Sequence, residues 1–243
     1  IEQMQVSKEV DSVNLTEGVI SGDIELNKVS FSYKGTNSNA LSNVSFKVPV
    51  NSIVAIVGPS GSGKSTLIDL LVRIRIPSSG EISISSTNIN SIKLKELRSM
   101  ISYVPQSPQI FDGSIKDHIK YGNNDASHNE VEYAARLAGA SDFIDKLENS
   151  YETSLDEDAT NLSGGQKQRL DLARVLLRHG EILLFDEPTS NLDKLSSLKI
   201  TDALLRIKSE TSSTIMIVTH DIKLAAKAEM IVVLENGSVS SIG

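Results

Sequence analysis

Gly58-Pro-Ser-Gly-Ser-Gly-Lys-Ser65 is the stretch from which the rest of the chain can be read. It fits the phosphate-loop pattern G-x-x-x-x-G-K-[ST]. Ser52-Ile-Val-Ala-Ile-Val57 before it reads as a buried strand, and Thr66-Leu-Ile-Asp-Leu-Leu-Val72 after it as a buried helix. Gly58, Gly61 and Gly63 let the main chain curl close to an anion, since no Cβ obstructs it. The loop N–H groups and the helix N-terminus then face phosphates. Lys64 adds a point charge, and the Ser65 hydroxyl is a candidate Mg²⁺ ligand. Gly58, Pro59, Ser60, Gly61, Ser62, Gly63, Lys64, Ser65 and Thr66 are therefore the candidate phosphate contacts of a bound nucleotide.

Two further stretches carry chemistry. Ile182-Leu-Leu-Phe185 reads as a buried strand that ends in Asp186-Glu187. Carboxylates at the carboxyl end of a buried strand lie where α/β sheets bind ligands. Asp186 is a candidate to hold Mg²⁺ opposite Ser65. Glu187 is a candidate to orient or deprotonate an attacking water. A solvated Asp-Glu turn is the plainer reading of the pair taken alone. Leu162-Ser-Gly-Gly-Gln166 opens a helix with Leu170, Leu172, Ala173, Leu176 and Leu177 buried, making a second anion site from Ser163, Gly164, Gly165 and Gln166. A bare Ser-Gly-Gly is more often a helix cap. The full five-residue run, followed by Lys167-Gln-Arg169, is far more specific.

Composition narrows the rest. The chain has 243 residues, 39% of them hydrophobic, which suits one domain or one domain with a sizeable insertion. Its net charge of −7 argues against a nucleic-acid partner. It has no cysteine, so thiol and disulfide chemistry are excluded, and no tryptophan. No apolar run approaches the ~18 residues of a membrane span. Residues 1–22 are polar and charged, do not begin with Met, and read as a linker in a fragment or excised domain.

In chain order, Asp23–Tyr33 alternates as a strand whose period slips near Asn27-Lys28, predicting a bulge. Val44, Phe46 and Val48 alternate on a second strand, and both read as antiparallel and half-buried. Ser91 is the expected cap of a helix through Met100, and Ile101–Val104 reads as a strand. The middle is helical: Ser114–Tyr121, a capping box at Ser127 and Glu130 opening a helix through Ala138, and a third helix capped by Ser141 and running through Leu147. No strong strand is expected between Val104 and Glu181. His118, His128 and His179 read as surface residues. Thr214–Val218 is a strand ending at Thr219-His220, and Ile231–Leu234 enters a hairpin at Asn236-Gly237.

Taken together, residues 23–243 resemble the ATP-binding cassette (ABC) family. The resemblance implies an α/β fold: a P-loop NTPase (RecA-like) core, an N-terminal antiparallel β subdomain, and an α-helical subdomain inserted at about residues 107–165. It implies ATP hydrolysis with ATP and Mg²⁺ as cofactors. Tyr33 resembles the aromatic that stacks on adenine, and Gln106 the glutamine that touches Mg²⁺ and relays to a membrane domain. Ser190-Asn-Leu-Asp193 resembles the loop that crosses a dimer interface, so Asp193 joins the ATP-site candidates. His220 resembles the histidine that contacts the γ-phosphate. The implied catalytic set is Glu187, His220, Lys64 and Gln106, and the Mg²⁺ set is Ser65, Gln106 and Asp186. In the family, Ser163 and Gly165 serve the ATP held by a second subunit, so a head-to-tail partner cassette is implied. Val104-Pro-Gln-Ser-Pro-Gln-Ile-Phe111 and Asp117-His-Ile-Lys-Tyr-Gly122 are similar to bacterial exporter sequences. That implies a transmembrane domain on the same full-length chain, and a cassette at the cytoplasmic membrane face that is soluble when isolated.

Two runs depart from exporters. Asp156-Glu-Asp-Ala159 stands where exporters carry Gly-Glu-Arg-Gly, and only Glu157 is retained. Asp186-Glu-Pro-Thr189 has a proline where exporters usually have alanine, a spelling common in importers. The alternatives are an importer cassette or an ABC ATPase of DNA repair. The latter carry long coiled-coil insertions; here only about a hundred residues separate Ser65 from Leu162, without sustained heptads.

Overall fold

The structure is a computed structural model in which residues 22–36, 38–156 and 159–243 are described. The linker expected over 1–22 lies, but for Gly22, outside the described residues, as do Glu157 and Asp158. The elements run β1 (Ile24–Phe31), β2 (Leu41–Val48), β3 (Ile53–Val57), α1 (Lys64–Leu71), β4 (Ser79–Ile84), β5 (Thr87–Asn88), α2 (Leu94–Met100) and β6 (Ile101–Val104). Then come β7 (Gly113–Ser114), α3 (Ile115–Lys120), α4 (His128–Leu137), α5 (Ser141–Ile144), β8 (Ser154–Leu155) and α6 (Gly164–Leu176). The chain closes with β9 (Ile182–Asp186), α7 (Lys194–Glu210), β10 (Thr214–Val218), α8 (Ile222–Ala225), β11 (Met230–Glu235) and β12 (Ser238–Ile242).

These form the expected α/β architecture. A six-stranded sheet runs β12-β11-β3-β10-β9-β6, and a four-stranded sheet runs β2-β1-β4-β5. In the larger sheet only β12 is antiparallel to its neighbour; in the smaller one every pairing is antiparallel. The bulge predicted near Asn27-Lys28 is present: the β1–β2 register shifts between Leu26 and Val29, and Lys28 has φ 49°.

Strand alternation divides the core into two layers. Val54, Ile56, Leu184, Met216 and Val218 face α1 and the antiparallel sheet. Ile53, Leu183, Phe185, Ile215 and Ile217 face the opposite layer, with α3, α4, α6 and α7. Both faces are covered, which is why these strands read as continuous apolar runs.

The inserted segment between β6 and α6 holds α3, α4 and α5. It also contains a two-residue antiparallel ladder, β7 with β8, too short to leave a sequence signal. The capping box of Ser127 with Glu130 is formed. Three expectations are corrected. Ser91 does not cap α2; it donates to the Asn88 carbonyl at 2.7 Å within a short 3₁₀ turn, and α2 begins at Leu94. Ser141 is the first residue of α5, which ends at Ile144. His118 is fully buried, not on the surface, because α3 packs against α6. Among the described residues no helix is long and apolar enough to cross a membrane.

Candidate functional site

Register brings four strand ends to one line. Ile56 pairs with Val218, Val218 with Asp186, and Phe185 with Val104. The residues that follow β3, β10, β9 and β6 therefore emerge side by side: the loop from Gly58, Thr219-His220, Glu187, and Pro105-Gln106. This is the carboxyl edge at which parallel α/β sheets bind ligands.

The loop from Gly58 to Gly63 is held tightly from outside. A Cβ on Gly58 would lie 2.1 Å from the Leu234 carbonyl oxygen. One on Gly63, where φ is +102°, would lie 2.6 Å from the Ala40 oxygen. Gly61 has φ +78° and open space around its Cβ position, so glycine there serves the turn, not packing. Lys64, 9% exposed, arches back and donates to the carbonyls of Gly58 at 2.8 Å and Pro59 at 3.0 Å. The Ser62 hydroxyl is buried without a partner, and Ser65 is exposed at the head of α1. A glycine-rich loop with an unpaired hydroxyl and a cation, leading into a helix N-terminus, fits a polyphosphate.

Glu187 and His220 meet: His220 Nδ1 contacts Glu187 Oε2, with the glutamate side chain 15% exposed. Glu187 has φ 50°, a left-handed turn straight off β9, and its amide donates to the Val218 carbonyl at 2.8 Å. That turn carries its side chain across β10 towards His220. Burial raises the Asp186 pKa; Tyr103 opposes the shift by donating to Oδ2 at 3.3 Å. Burial, with Asp186 alongside, in turn raises the Tyr103 phenol. Tyr103 is a site residue that sequence reasoning missed. Its position on β6, the strand beside β9, is the signal that pairing alone supplies.

Tyr33 is half-buried beside this edge, its hydroxyl 3.0 Å from Thr66 Oγ1. The Arg75 guanidinium lies over its ring at 4.6 Å and is ion-paired with Asp69 of α1 at 3.1 Å. The aromatic is thus tied to α1 at two points, and Arg75 is a second residue not foreseen.

Ser163, Gly164, Gly165 and Gln166 are organised separately. Ser163 caps α6: its Oγ accepts from the Gln166 amide at 3.3 Å, and its amide donates to Gln166 Oε1 at 2.7 Å. The plain capping reading holds, and it leaves Ser163 and Gly164 exposed. Gly165 faces α7, where a Cβ would fall 2.4 Å from Ser196 Oγ. Ser196 in turn donates to Asp193 Oδ2 at 2.5 Å, and Asp193 caps α7. Signature and Asp193 loop are therefore one packed unit. Gln106 is exposed, with no hydrogen bond to the Mg²⁺ candidates.

The metal candidates Ser65, Gln106 and Asp186 are all oxygen donors, the set a hard cation takes. Among the described residues no cluster of three His, Cys, Asp or Glu could hold a metal by itself. The donors present fit a cation shared with phosphate oxygens.

Comparison with known proteins points to one family. The ABC transporter family model matches residues 41–190. ABC transporter B family member 21 of Arabidopsis thaliana is 41% identical over 98% of this chain, which spans 18% of that protein. An ATP-dependent lipid A-core flippase of Vibrio vulnificus is 39% identical over 90% of this chain, which spans 37% of it. The structure of a bacterial Atm1-family ABC exporter with ATP bound superposes with a TM-score of 0.87 at 35% identity, over 98% of this chain and 41% of the other. The chain thus spans well under half the length of these relatives. Its matching phosphate loop, signature helix and strand-end carboxylates, with these likenesses, mean that the chain belongs to the ABC transporter family.

Proposed function

We propose that the chain is the ATP-hydrolysing cassette of an exporter, which drives substrate across a membrane through ATP-dependent pairing of two cassettes. The observation that carries this reading is the contact of Glu187 with His220 at the sheet edge beside the Gly58–Ser65 loop. A carboxylate held there can orient water in line with a terminal phosphate, while the histidine fixes its direction. The loop amides and Lys64, swung from its carbonyl partners, offset the phosphate charge. Tyr33 stacks on the base. Ser65, Asp186 and Gln106 would hold Mg²⁺, which supplies charge neutralisation between the outer phosphates. Ser163 and Gly165 contribute to the ATP of the second cassette; the exposure of Ser163 supports that role. The transmembrane domain belongs to the same full-length chain, with the cassette at the cytoplasmic membrane face.

The test is ATP turnover and ATP binding by the purified chain with Mg²⁺. Wild type hydrolyses ATP to ADP and phosphate. Lys64→Ala loses measurable binding by calorimetry, whereas Glu187→Gln binds like wild type and turns over at least a hundredfold more slowly. Wild-type turnover in Glu187→Gln would overturn the assignment.

A further inference from the structure

Two fully buried ionisable residues have no part in the mechanism above. His118 on α3 and Asp171 on α6 are each 0% exposed. Both border the segment that leads from Gln106 to β7. The Phe111 amide donates to His118 Nδ1 at 3.2 Å, which fixes the neutral ring with its proton on Nε2. Phe111 is held by side chains as well. Its ring stacks on Tyr121 with centroids 4.3 Å apart, lies 5.7 Å from the His118 ring, and carries the Arg174 guanidinium 5.5 Å from its centroid. Arg174 is anchored to Asp171 Oδ1 at 2.7 Å. Behind this cluster the chain just past α3 lies directly against α6. A Cβ on Gly122, just past α3, would lie 2.0 Å from the Arg174 carbonyl oxygen.

The cluster is also incompletely satisfied. His118 Nε2 and Asp171 Oδ2 are buried without a hydrogen-bond partner. Main-chain groups lie beside both: Leu170 by the imidazole and Gln109 by the carboxylate, whose other oxygen Arg174 holds. A buried donor and acceptor short of full hydrogen bonds cost free energy, which the contacts around them must offset. Gln109 lies three residues from Gln106 and two from Phe111, and Asp171 and Leu170 lie on the helix that Ser163 begins.

We propose that His118 and Asp171 are positioning residues that fasten the Gln106 segment to the signature helix α6, so that the two ends of the machinery move as one body. Phe111 is the fixed end of this fastening. Gln109 beside Asp171, and Leu170 beside His118, are further points of the same fastening. This rests on the roles of Gln106 and Ser163 given above, so its test includes a measurement that needs no catalysis.

The experiment compares wild type with His118→Asn, His118→Phe and Gln109→Pro. Asparagine keeps an acceptor and a donor; phenylalanine keeps the ring and loses both nitrogens. Proline deletes the Gln109 amide from the exposed loop side without touching the core, and so serves if His118→Phe does not fold. Amide hydrogen exchange is measured across 106–111, with α1 as internal control, in a Glu187→Gln background with and without ATP–Mg²⁺. Wild type should show slow exchange at Phe111 with and without ATP. His118→Phe should exchange at least tenfold faster at Phe111, and His118→Asn should stay within about threefold of wild type. With Glu187 restored, kcat should fall about tenfold in His118→Phe and Gln109→Pro while KM for ATP stays within twofold. Unchanged exchange at Phe111 in His118→Phe would overturn the proposal. So would full kcat in both His118→Phe and Gln109→Pro. A chain that hydrolyses no ATP at all would instead count against the proposed function, and the exchange data would still judge the fastening.

Discussion

Single side chains set the terms of nucleotide binding here. The Tyr33 hydroxyl is 3.0 Å from Thr66, and Arg75 covers its ring. Base–aromatic stacking contributes about 1–3 kcal/mol. Tyr33→Ala should therefore weaken ATP binding about five- to hundredfold by calorimetry, while Tyr33→Phe, losing one hydrogen bond of about 1 kcal/mol, should stay within several-fold. His118 sets a different term. Burial, aided by the nearby Arg174 charge, pushes its pKa down to about 4 from an ordinary 6.5. Between these values the unfolded chain binds the proton and the folded chain does not, so stability rises with pH. Over that window the cost of acidification reaches about 3 kcal/mol. Asp171 titrates in the opposite sense, since burial raises its pKa. Denaturant melts of wild type and His118→Asn at pH 7 and pH 4.5 cancel that second effect, and should show a smaller acid loss in the asparagine variant.

At the scale of elements, close approach of main chains decides what can vary. Gly58 against β11, Gly122 against α6, and Gly165 against Ser196 of α7 each leave no room for a Cβ. The nearest atom at Gly122 is a backbone carbonyl oxygen; at Gly165 the Ser196 hydroxyl can rotate, but the Ser196 Cβ, 2.6 Å from the added carbon, cannot. Gly122→Ala should cost about 1–3 kcal/mol through overpacking. Thermal unfolding should then shift down by about 2–12 °C for a domain of this size. Gly165→Ala should cost a comparable amount, since the Ser196 Cβ must shift with its helix.

For the whole molecule, the Ser163 cap is exposed and the Glu187 side chain is largely enclosed. On the proposed function each belongs to a site that a second cassette completes. Glu187→Gln should elute as a dimer with ATP–Mg²⁺ and as a monomer with ADP, measured at a protein concentration above the dimer Kd. Ser163→Arg should abolish that dimer and impair hydrolysis, yet leave ATP affinity of the monomer unchanged. A Glu187→Gln chain that remains monomeric at high concentration would remove the two-cassette reading.

Much of the fold and the candidate site was legible in the chain itself, because local rules encode it. Gly58–Ser65 needs only a strand before it and a helix after it; Ser163 and Gln166 form a capping box three residues apart; Asn236-Gly237 supplies the two positive φ angles of a hairpin turn. Asp186 and Glu187 could be singled out because an apolar strand ends at them. Other features depended on sequence-distant pairing and had no local signature. Tyr103 reaches Asp186 because β6 pairs with β9, 83 residues apart in sequence. Arg75 finds Tyr33 because α1 packs beneath the antiparallel sheet. His118 looked like a surface residue on a short polar helix, and the docking of α3 on α6 buried it. The sequence by itself determined the family and most of its elements, since turns, capping boxes and strand periods act over a few residues. Only tertiary structure decided which side chains brace that chemistry, since burial and strand neighbours are properties of contacts between segments far apart in the chain.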